Sequence, residues 1–119
     1  MNTKEFNSDD ASLSVDLSEA RQAVKENRFK DALGLFEIIL QEDPSHIDSL
    51  YLASVSSRYL KKFDDSKKYI EQLMIIAPDM GRAYQELGHI FRDMGDETKS
   101  IIHYRQACEL NLSLIHIWR

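Results

Sequence analysis

Cysteine is almost absent from this sequence. Cys108 is the only one in 119 residues, so no internal disulfide can form, and a reducing compartment fits this usage. The four histidines, His46, His89, His103 and His116, show no metal-ligand spacing with that thiol. The composition therefore predicts no metal site.

Long apolar runs are also missing. No stretch reaches the roughly 18 apolar residues that a membrane span requires, and residues 1–10 lack the basic start and apolar segment of a secretory signal. We therefore expect a cytoplasmic protein that does not bind membranes. Residues 1–15 are polar and mostly acidic, which predicts a disordered leader because they bury too little apolar surface to offset their ordering entropy.

Basic residues, prolines and glycines are few. The 15 Lys and Arg against 20 Asp and Glu give a net charge of -5, the wrong sign for general nucleic-acid binding. Only two prolines and four glycines interrupt apolar residues that recur at three- and four-residue intervals, which indicates helices joined by short turns. With 43% hydrophobic residues the chain can form one small core, so we predict an all-α fold.

What the sequence does contain is a 34-residue period. Small residues recur at two positions of this period, where the paired helices of a hairpin must approach closely. The positions hold Ala20, Ser54 and Gly88 in the first helices and Ala32, Ser66 and Ser100 in the second helices. Pro44 and Pro78 are also one period apart, and proline ends one helix while suiting the start of the next.

Larger residues at the other repeated positions predict the core. These residues are Phe36, Leu40, Leu50, Ala53, Ile70, Leu73, Met74, Tyr84, Leu87, Phe91 and Tyr104. Two capping boxes are also predicted at first-helix starts, Asp16 with Glu19 and Ser45 with Asp48.

The period and its turns predict six helices. Their expected bounds are residues 16–27, 30–42, 47–60, 64–76, 81–94 and 97–110. Because the turns are short, paired helices must be antiparallel neighbours. The three resulting repeats span residues 16–46, 47–80 and 81–111.

The third hairpin carries the most complete motif. It resembles the tetratricopeptide consensus in Ala83-Tyr84-Gln85-Glu86-Leu87-Gly88, Phe91, Gly95-Asp96, Ser100, Tyr104 and Ala107, and the resemblance covers residues 13–111. Earlier hairpins depart from it, with Ser54 in place of the usual glycine and Asn27 and Lys61 in place of the turn glycine. The resemblance implies a right-handed superhelical stack of three antiparallel hairpins, whose first helices line a concave groove.

Residues 112–119 leave the period, because Leu112 stands where proline is expected. Leu-Ser-Leu-Ile-His-Ile is also the translation of a transposon-end adapter used in DNA library preparation, which predicts read-through from a longer gene. The alternative is the start of a fourth repeat, since Trp118 lies 34 residues after Tyr84, where an aromatic residue belongs. Under either interpretation we expect a fragment of a longer protein.

No catalytic constellation is visible. Cys108 and His103 lie five residues apart on one predicted helix, which places them on different faces, and Cys108 is expected to be a buried, inert thiol. The glycines do not cluster into a phosphate-binding loop. We predict no catalytic residue, no cofactor and no enzymatic activity of the chain by itself.

The resemblance also implies a peptide-binding groove. Its expected contact residues are Arg21, Tyr51, Val55, Arg58, Arg82, Gln85, His89 and Arg92, beside Leu17, Val24 and Asp48. Four arginines against one acid would make the groove basic, and guanidinium groups pair well with carboxylates, phosphates and sulfates. We therefore predict an interaction scaffold that binds an acidic protein segment, of open oligomeric state. The alternative is that the arginines pair with Glu86 and Asp93 or only solvate the surface.

Two narrower functions follow from the resemblance. Chaperone-binding members clamp a terminal carboxylate with five polar residues, but the matching positions here hold Leu17, Arg21, Leu52, Arg82 and Glu86, so that function is not expected. The third hairpin is also similar to the repeats preceding the catalytic domain of bacterial repeat-containing sulfotransferases. This similarity implies, as an alternative, a repeat arm that positions a polypeptide substrate for an enzyme.

Overall fold

The computed structural model describes residues 17–118, and the side chains of residues 17–111. This part of the chain forms six α-helices and no strand. Helix α1 is described over residues 17–25 and is followed by α2 (Phe29–Glu42), α3 (Ile47–Tyr59), α4 (Phe63–Ile76), α5 (Gly81–Met94) and α6 (Glu97–Trp118). The helices pair as antiparallel hairpins that stack in chain order, so the prediction of an all-α superhelical stack is confirmed.

The helix bounds follow the 34-residue period except at the end of the chain. From the end of α1 to the end of α5 each bound lies within two residues of its predicted position. Helix α6 instead continues past residue 110 to Trp118, because Leu112 favours helix where the two earlier hairpins have proline. The predicted leader at residues 1–15, the Asp16 capping box and the origin of residues 112–119 lie outside the described residues and side chains.

A left-handed residue closes each hairpin turn. Asn27, Lys61 and Gly95 have φ values of 61°, 62° and 88°. In all three turns the next N–H donates to the carbonyl five residues back at 2.8 Å, from Arg28 to Ala23, from Lys62 to Ser57 and from Asp96 to Phe91. The first two turns therefore keep the same geometry without glycine, although a lysine in this conformation costs about 1 kcal/mol.

The start of α3 differs from its prediction. Its N-cap is His46, whose Nδ1 accepts a hydrogen bond from the Ser49 N–H at 3.2 Å. The capping box predicted for Ser45 with Asp48 is therefore wrong, because Ser45 lies one residue too early. Its own N–H donates instead to the Asp43 carboxylate at 3.3 Å.

The small residues lie where paired helices touch, as predicted, and all six are buried. In the second hairpin the Ser54 hydroxyl donates to the Ser66 carbonyl at 2.9 Å, and the Ser66 hydroxyl donates to the Ser54 carbonyl at 2.7 Å. In the third hairpin the Ser100 hydroxyl donates to the Gly88 carbonyl at 2.9 Å. The serines therefore bond the two helix backbones together as well as permitting close approach.

The core consists of two clusters joined through shared neighbours. The first contains Ala20, Ala23, Ala32, Leu33, Phe36, Ile39 and Ala53, and the second contains Leu50, Ile70, Leu73, Ala83, Leu87 and Ile90. Leu40 and Tyr69 pack against both clusters. Leu40, Met74, Tyr84, Phe91 and Tyr104 were also expected in the core but are only half-buried. Tyr84 and Tyr104 occupy the same positions of the period as Leu50 and Ile70 in the second hairpin. The third hairpin covers Leu50 and Ile70, whereas no described helix covers Tyr84 and Tyr104.

Helix α3 buries more hydroxyl groups than it can satisfy. The hydroxyl oxygens of Ser49, Ser56 and Ser57 are buried without a hydrogen-bond partner among the described residues. A buried polar group left unpaired costs about 1 to 3 kcal/mol. Within the described residues, α3 therefore holds three buried hydroxyl groups that cost stability.

Replacing Gly88 by alanine should destabilise the protein. A Cβ atom there would lie 2.6 Å from Cδ1 of the Tyr104 ring, so the predicted cost is about 1 to 3 kcal/mol. The matched control is Gly34→Ala in α2, where a Cβ meets nothing within 4 Å and removing glycine from a helix should stabilise by about 0.5 to 1 kcal/mol. Urea unfolding followed by circular dichroism measures both, and effects of the same sign would contradict the close contact.

The buried serines should respond in opposite directions to alanine. Ser57→Ala removes an unpaired hydroxyl at a position where the first hairpin already has Ala23, so stability should rise by about 1 kcal/mol. Ser54→Ala removes the donor to the Ser66 carbonyl and should lower stability by about 1 kcal/mol. A loss of stability in both variants, measured by thermal unfolding, would mean that the Ser57 hydroxyl has a partner.

Candidate functional site

The predicted groove residues lie on α1, α3 and α5, the first helices of the three hairpins. Contacts between these helices define the surface, joining Arg21 to Asp48, Arg82 to Tyr51 and Arg58 to Glu86. Val55 and His89 are half-buried, whereas Gln85 and Arg92 are exposed. The stack therefore brings side chains of successive repeats together, but mostly as partners of one another.

Arg58 is not the exposed groove cation that the repeat predicts. Its side chain is 8% exposed and that of Glu86 only 2%. Its Nε donates to one Glu86 oxygen at 2.6 Å, Nη2 donates to the other at 3.4 Å, and Nη1 donates to Asp93 at 3.0 Å. The predicted peptide contact at Arg58 is therefore corrected to an internal ion pair, because a charge buried so deeply must be paired.

The three ionised groups alter one another's acidity. Burial alone would lower the pKa of Arg58, but hydrogen bonds and charges from Glu86 and Asp93 raise it above its ordinary range. Burial raises the pKa of Glu86 against the opposing hydrogen bond from Arg58. At Asp93, burial is outweighed by hydrogen bonds from Arg58 and Arg92, which lower the pKa of its carboxyl. The guanidinium of Arg58 thus supplies a permanent positive charge between the second and third hairpins.

Two stacked aromatic rings connect this ion pair to the first hairpin. The rings of Phe29 and Tyr59 are parallel, with centroids 4.4 Å apart. The Arg58 guanidinium carbon lies 4.7 Å from the centroid of the Tyr59 ring. A continuous chain of contacts therefore runs from α2, through the end of α3, to Glu86 on α5.

The other three arginines have different surroundings. Arg21 pairs with Asp48 at 2.6 Å, and Arg92 pairs with Asp93 at 3.0 Å. Arg82 has no carboxylate within 4.0 Å among the described residues, and its guanidinium carbon lies 4.7 Å from the centroid of the Tyr51 ring. Because three of the four arginines are already paired, the groove is much less basic than predicted.

His89 adds no charge to the groove at neutral pH. Its Nδ1 shares a hydrogen bond with the Tyr104 hydroxyl, which ties α5 to α6. Burial, together with the charges of Arg58 and Arg92, lowers the pKa of His89 below its ordinary value. This histidine therefore orients the Tyr104 ring beside Gly88.

Cys108 is exposed, so the prediction of a buried thiol is wrong. The neighbouring Ala107 takes the inward position on α6 and is 6% exposed, which turns the next residue away by about 100°. Within residues 17–111, no group of three His, Cys, Asp or Glu side chains could hold a metal ion. No helix in the described part of the chain combines the length and apolar character of a membrane span.

Comparisons with known proteins agree with this geometry. Residues 81–113 match the family model described as tetratricopeptide repeat. Solved structures of MamA MSR-1, MamA AMB-1 and MamA 41-end from Desulfovibrio magneticus RS-1 superpose on 85% of the chain, with TM-scores of 0.79, 0.80 and 0.80. The fold is a tetratricopeptide-repeat solenoid.

The likeness is one of fold, since the identity to each of these three structures is 17%. The chain spans 58%, 60% and 57% of the respective MamA chains. No curated protein matches the chain. Neither the family model nor the solved structures support the sulfotransferase relationship.

The burial of Arg58 did have a signal in the sequence. One period earlier stands Val24, an apolar residue that packs against the first core cluster, so an arginine at this place in the tetratricopeptide repeat needs an acidic partner. Glu86 and Asp93 follow by 28 and 35 residues, one on each side of the period. These distances from Arg58 bracket the 34-residue offset between stacked first helices.

Removing the buried cation should be costly. Arg58→Ala leaves Glu86 buried without its partner, and we expect a loss of about 3 to 5 kcal/mol. Arg21→Ala breaks a pair whose side chains are 49% and 55% exposed and should cost at most about 1 kcal/mol. Chemical unfolding of the two variants provides the measurement, and equal losses would show that Arg58 is not buried in solution.

Proposed function

We propose that the chain is a protein-interaction scaffold whose groove binds a protein segment carrying at least one carboxylate. The tetratricopeptide-repeat fold supports the general role, because stacked hairpins present an extended concave surface. The single observation that supports the acidic partner is Arg82, the groove arginine without a carboxylate in the described residues. The proposal therefore places the main ionic contact at Arg82 and not along the whole groove.

The Tyr51 ring positions the Arg82 guanidinium for this contact. A guanidinium held over an aromatic ring is positioned at little cost in side-chain freedom, and it keeps its N–H edge available for two oxygens of a carboxylate. The two residues come from successive first helices, α3 and α5. A segment that binds there would therefore bridge the second and third hairpins.

Neighbouring groups determine how strong the contact can be. Arg21 is already neutralised by Asp48, and Arg58 and Arg92 by Glu86 and Asp93. One exposed ion pair contributes about 0.2 to 1 kcal/mol, so apolar contacts with half-buried residues such as Val55 must supply part of the affinity. We expect affinities of about micromolar at best, with moderate sensitivity to salt.

The test is binding of an acidic peptide of about eight to ten residues, measured by fluorescence anisotropy. Arg82→Gln should weaken binding about three- to five-fold and reduce its salt dependence, because the exposed ion pair is lost. Arg105→Gln on α6 removes the same charge outside the groove and should leave affinity unchanged. Arg58 is unsuitable for this test, since reversing its charge would place two carboxylates together in the interior.

Equal binding by the Arg82 variant and the parent would contradict the proposal. The same conclusion would follow if the Arg105 variant lost as much affinity, because the interaction would then depend on net charge alone. A peptide with asparagine in place of each aspartate separates charge from shape. This uncharged peptide should bind weakly, with the same affinity for the parent protein and for the Arg82 variant.

A further inference from the structure

A cavity lies at the opposite end of α3 from Tyr51. It has a volume of about 360 Å³ and is lined by Arg58, Tyr59, Lys61, Phe63 and Asp93. Arg58 is seven residues beyond Tyr51, which corresponds to about 10 Å along the helix. The cavity is therefore separate from the contact proposed at Arg82, and a ligand could occupy it whether or not that contact forms.

One residue that lines this cavity, Arg58, has unused hydrogen-bond donors. A guanidinium carries five N–H groups, and Arg58 uses three of them, two toward Glu86 and one toward Asp93. The other two have no acceptor among the described residues. The Arg58 side chain is only 8% exposed, and Arg58 is one of the residues that line the cavity.

The cavity is also lined by a cation that lacks a carboxylate partner among the described residues, Lys61. Lys61 is exposed and has no carboxylate within 4.0 Å among the described residues. Its position at φ 62° in the hairpin turn holds its backbone in one conformation. The two residues that would face an anion in the cavity are therefore Arg58, with its unused donors, and Lys61, with its ammonium group.

The carboxylates of Glu86 and Asp93 are already paired with arginines. Both oxygens of Glu86 accept from Arg58, and those of Asp93 accept from Arg58 and Arg92. Arg58, Arg92 and Lys61 together carry three positive charges, whereas Glu86 and Asp93 carry two negative charges. The balance at the cavity is one positive charge, in a protein whose net charge is -5.

Aromatic side chains form the remaining wall. Phe63 is half-buried against the second core cluster, and Tyr59 is 56% exposed although it stacks on Phe29. The volume is at the lower end of the range for ligand pockets and suits one or two side chains. A bare anion would leave these rings in water, so the wall favours a ligand with an apolar group next to its charge.

From these contacts we propose that the cavity binds an acidic side chain together with an adjacent aromatic side chain of a protein partner. The carboxylate accepts from the two free N–H groups of Arg58 and pairs with Lys61. The neighbouring ring covers Phe63 and the edge of Tyr59. The scaffold thus has a second recognition site, with a chemistry that differs from the site at Arg82.

The probe is acetyl-Asp-Phe-amide, titrated against the isotopically labelled full chain by two-dimensional NMR. We expect shifts of the backbone amides of residues 59–63 and of Asp93. Acetyl-Asn-Phe-amide has the same shape without the charge and should bind at least three-fold more weakly. Arg82→Gln should leave both titrations unchanged, so this site and the site at Arg82 can fail separately.

The matched variants are Lys61→Asn and Lys62→Asn. Asparagine tolerates the left-handed conformation at position 61, so the turn should survive while the charge is removed. Lys62 does not line the cavity, and its replacement changes the net charge by the same amount. Lys61→Asn should weaken acetyl-Asp-Phe-amide about three- to five-fold, and Lys62→Asn by less than about 1.5-fold.

Three results would overturn the proposal. The first is equal binding of the aspartyl and asparaginyl probes, and the second is an equal effect of the two lysine substitutions. The third is an absence of shifts around residues 59–63 at millimolar probe in a chain whose spectrum shows it folded. Shifts confined to residues around Tyr51 and Arg82 count as this third result.

Discussion

A guanidinium group that is buried away from water requires carboxylate partners, and those of Arg58 lie on the next hairpin. Glu86 and Asp93 lie on one face of α5, and both reach Arg58 only if α3 and α5 lie side by side at one offset. Apolar contacts between α3 and α5 would tolerate a small shift of one helix along the other. The ion pair would not, because such a shift would leave a buried charge without its partner. The relative position of the second and third hairpins therefore depends on this interaction.

Within each hairpin the constraint is steric. Gly88 lies under the Tyr104 ring, and Ser54 and Ser66 exchange hydrogen bonds with each other's backbone carbonyls. Serine can replace glycine at this contact because its hydroxyl has an acceptor on the opposite helix. The cost of polar substitution is seen elsewhere on α3, where Ser56 and Ser57 have no such acceptor.

The internal pairing also determines what the surface can recognise. A groove with four free arginines would attract any acidic chain, but the ion pairs leave Arg82, near the start of α5, as the groove arginine without a carboxylate among the described residues. Lys61, in the turn after α3, is another cation without a carboxylate there. Each lies beside an aromatic side chain, Tyr51 in one case and Tyr59 in the other. Recognition by such a scaffold depends on the spacing of individual contacts and not on bulk charge.

The hairpin turns, the helix-contact residues and the helix bounds as far as the start of α6 were predictable from the sequence alone, because each depends on neighbours within one period of the chain. Asn27 and Lys61 kept the turn that glycine usually makes, and Pro44 and Pro78 fell between hairpins as expected. The pairing of Arg58 was decided by tertiary structure, since its partners lie 28 and 35 residues away and meet it only when the hairpins stack. The exposure of Cys108 was also decided by tertiary structure. The packing of α6 on α5 determines which of two adjacent residues, Ala107 or Cys108, faces α5. Periodicity thus specifies which residues form each helix, whereas the charge of the groove depends on distances between helices that no local pattern contains.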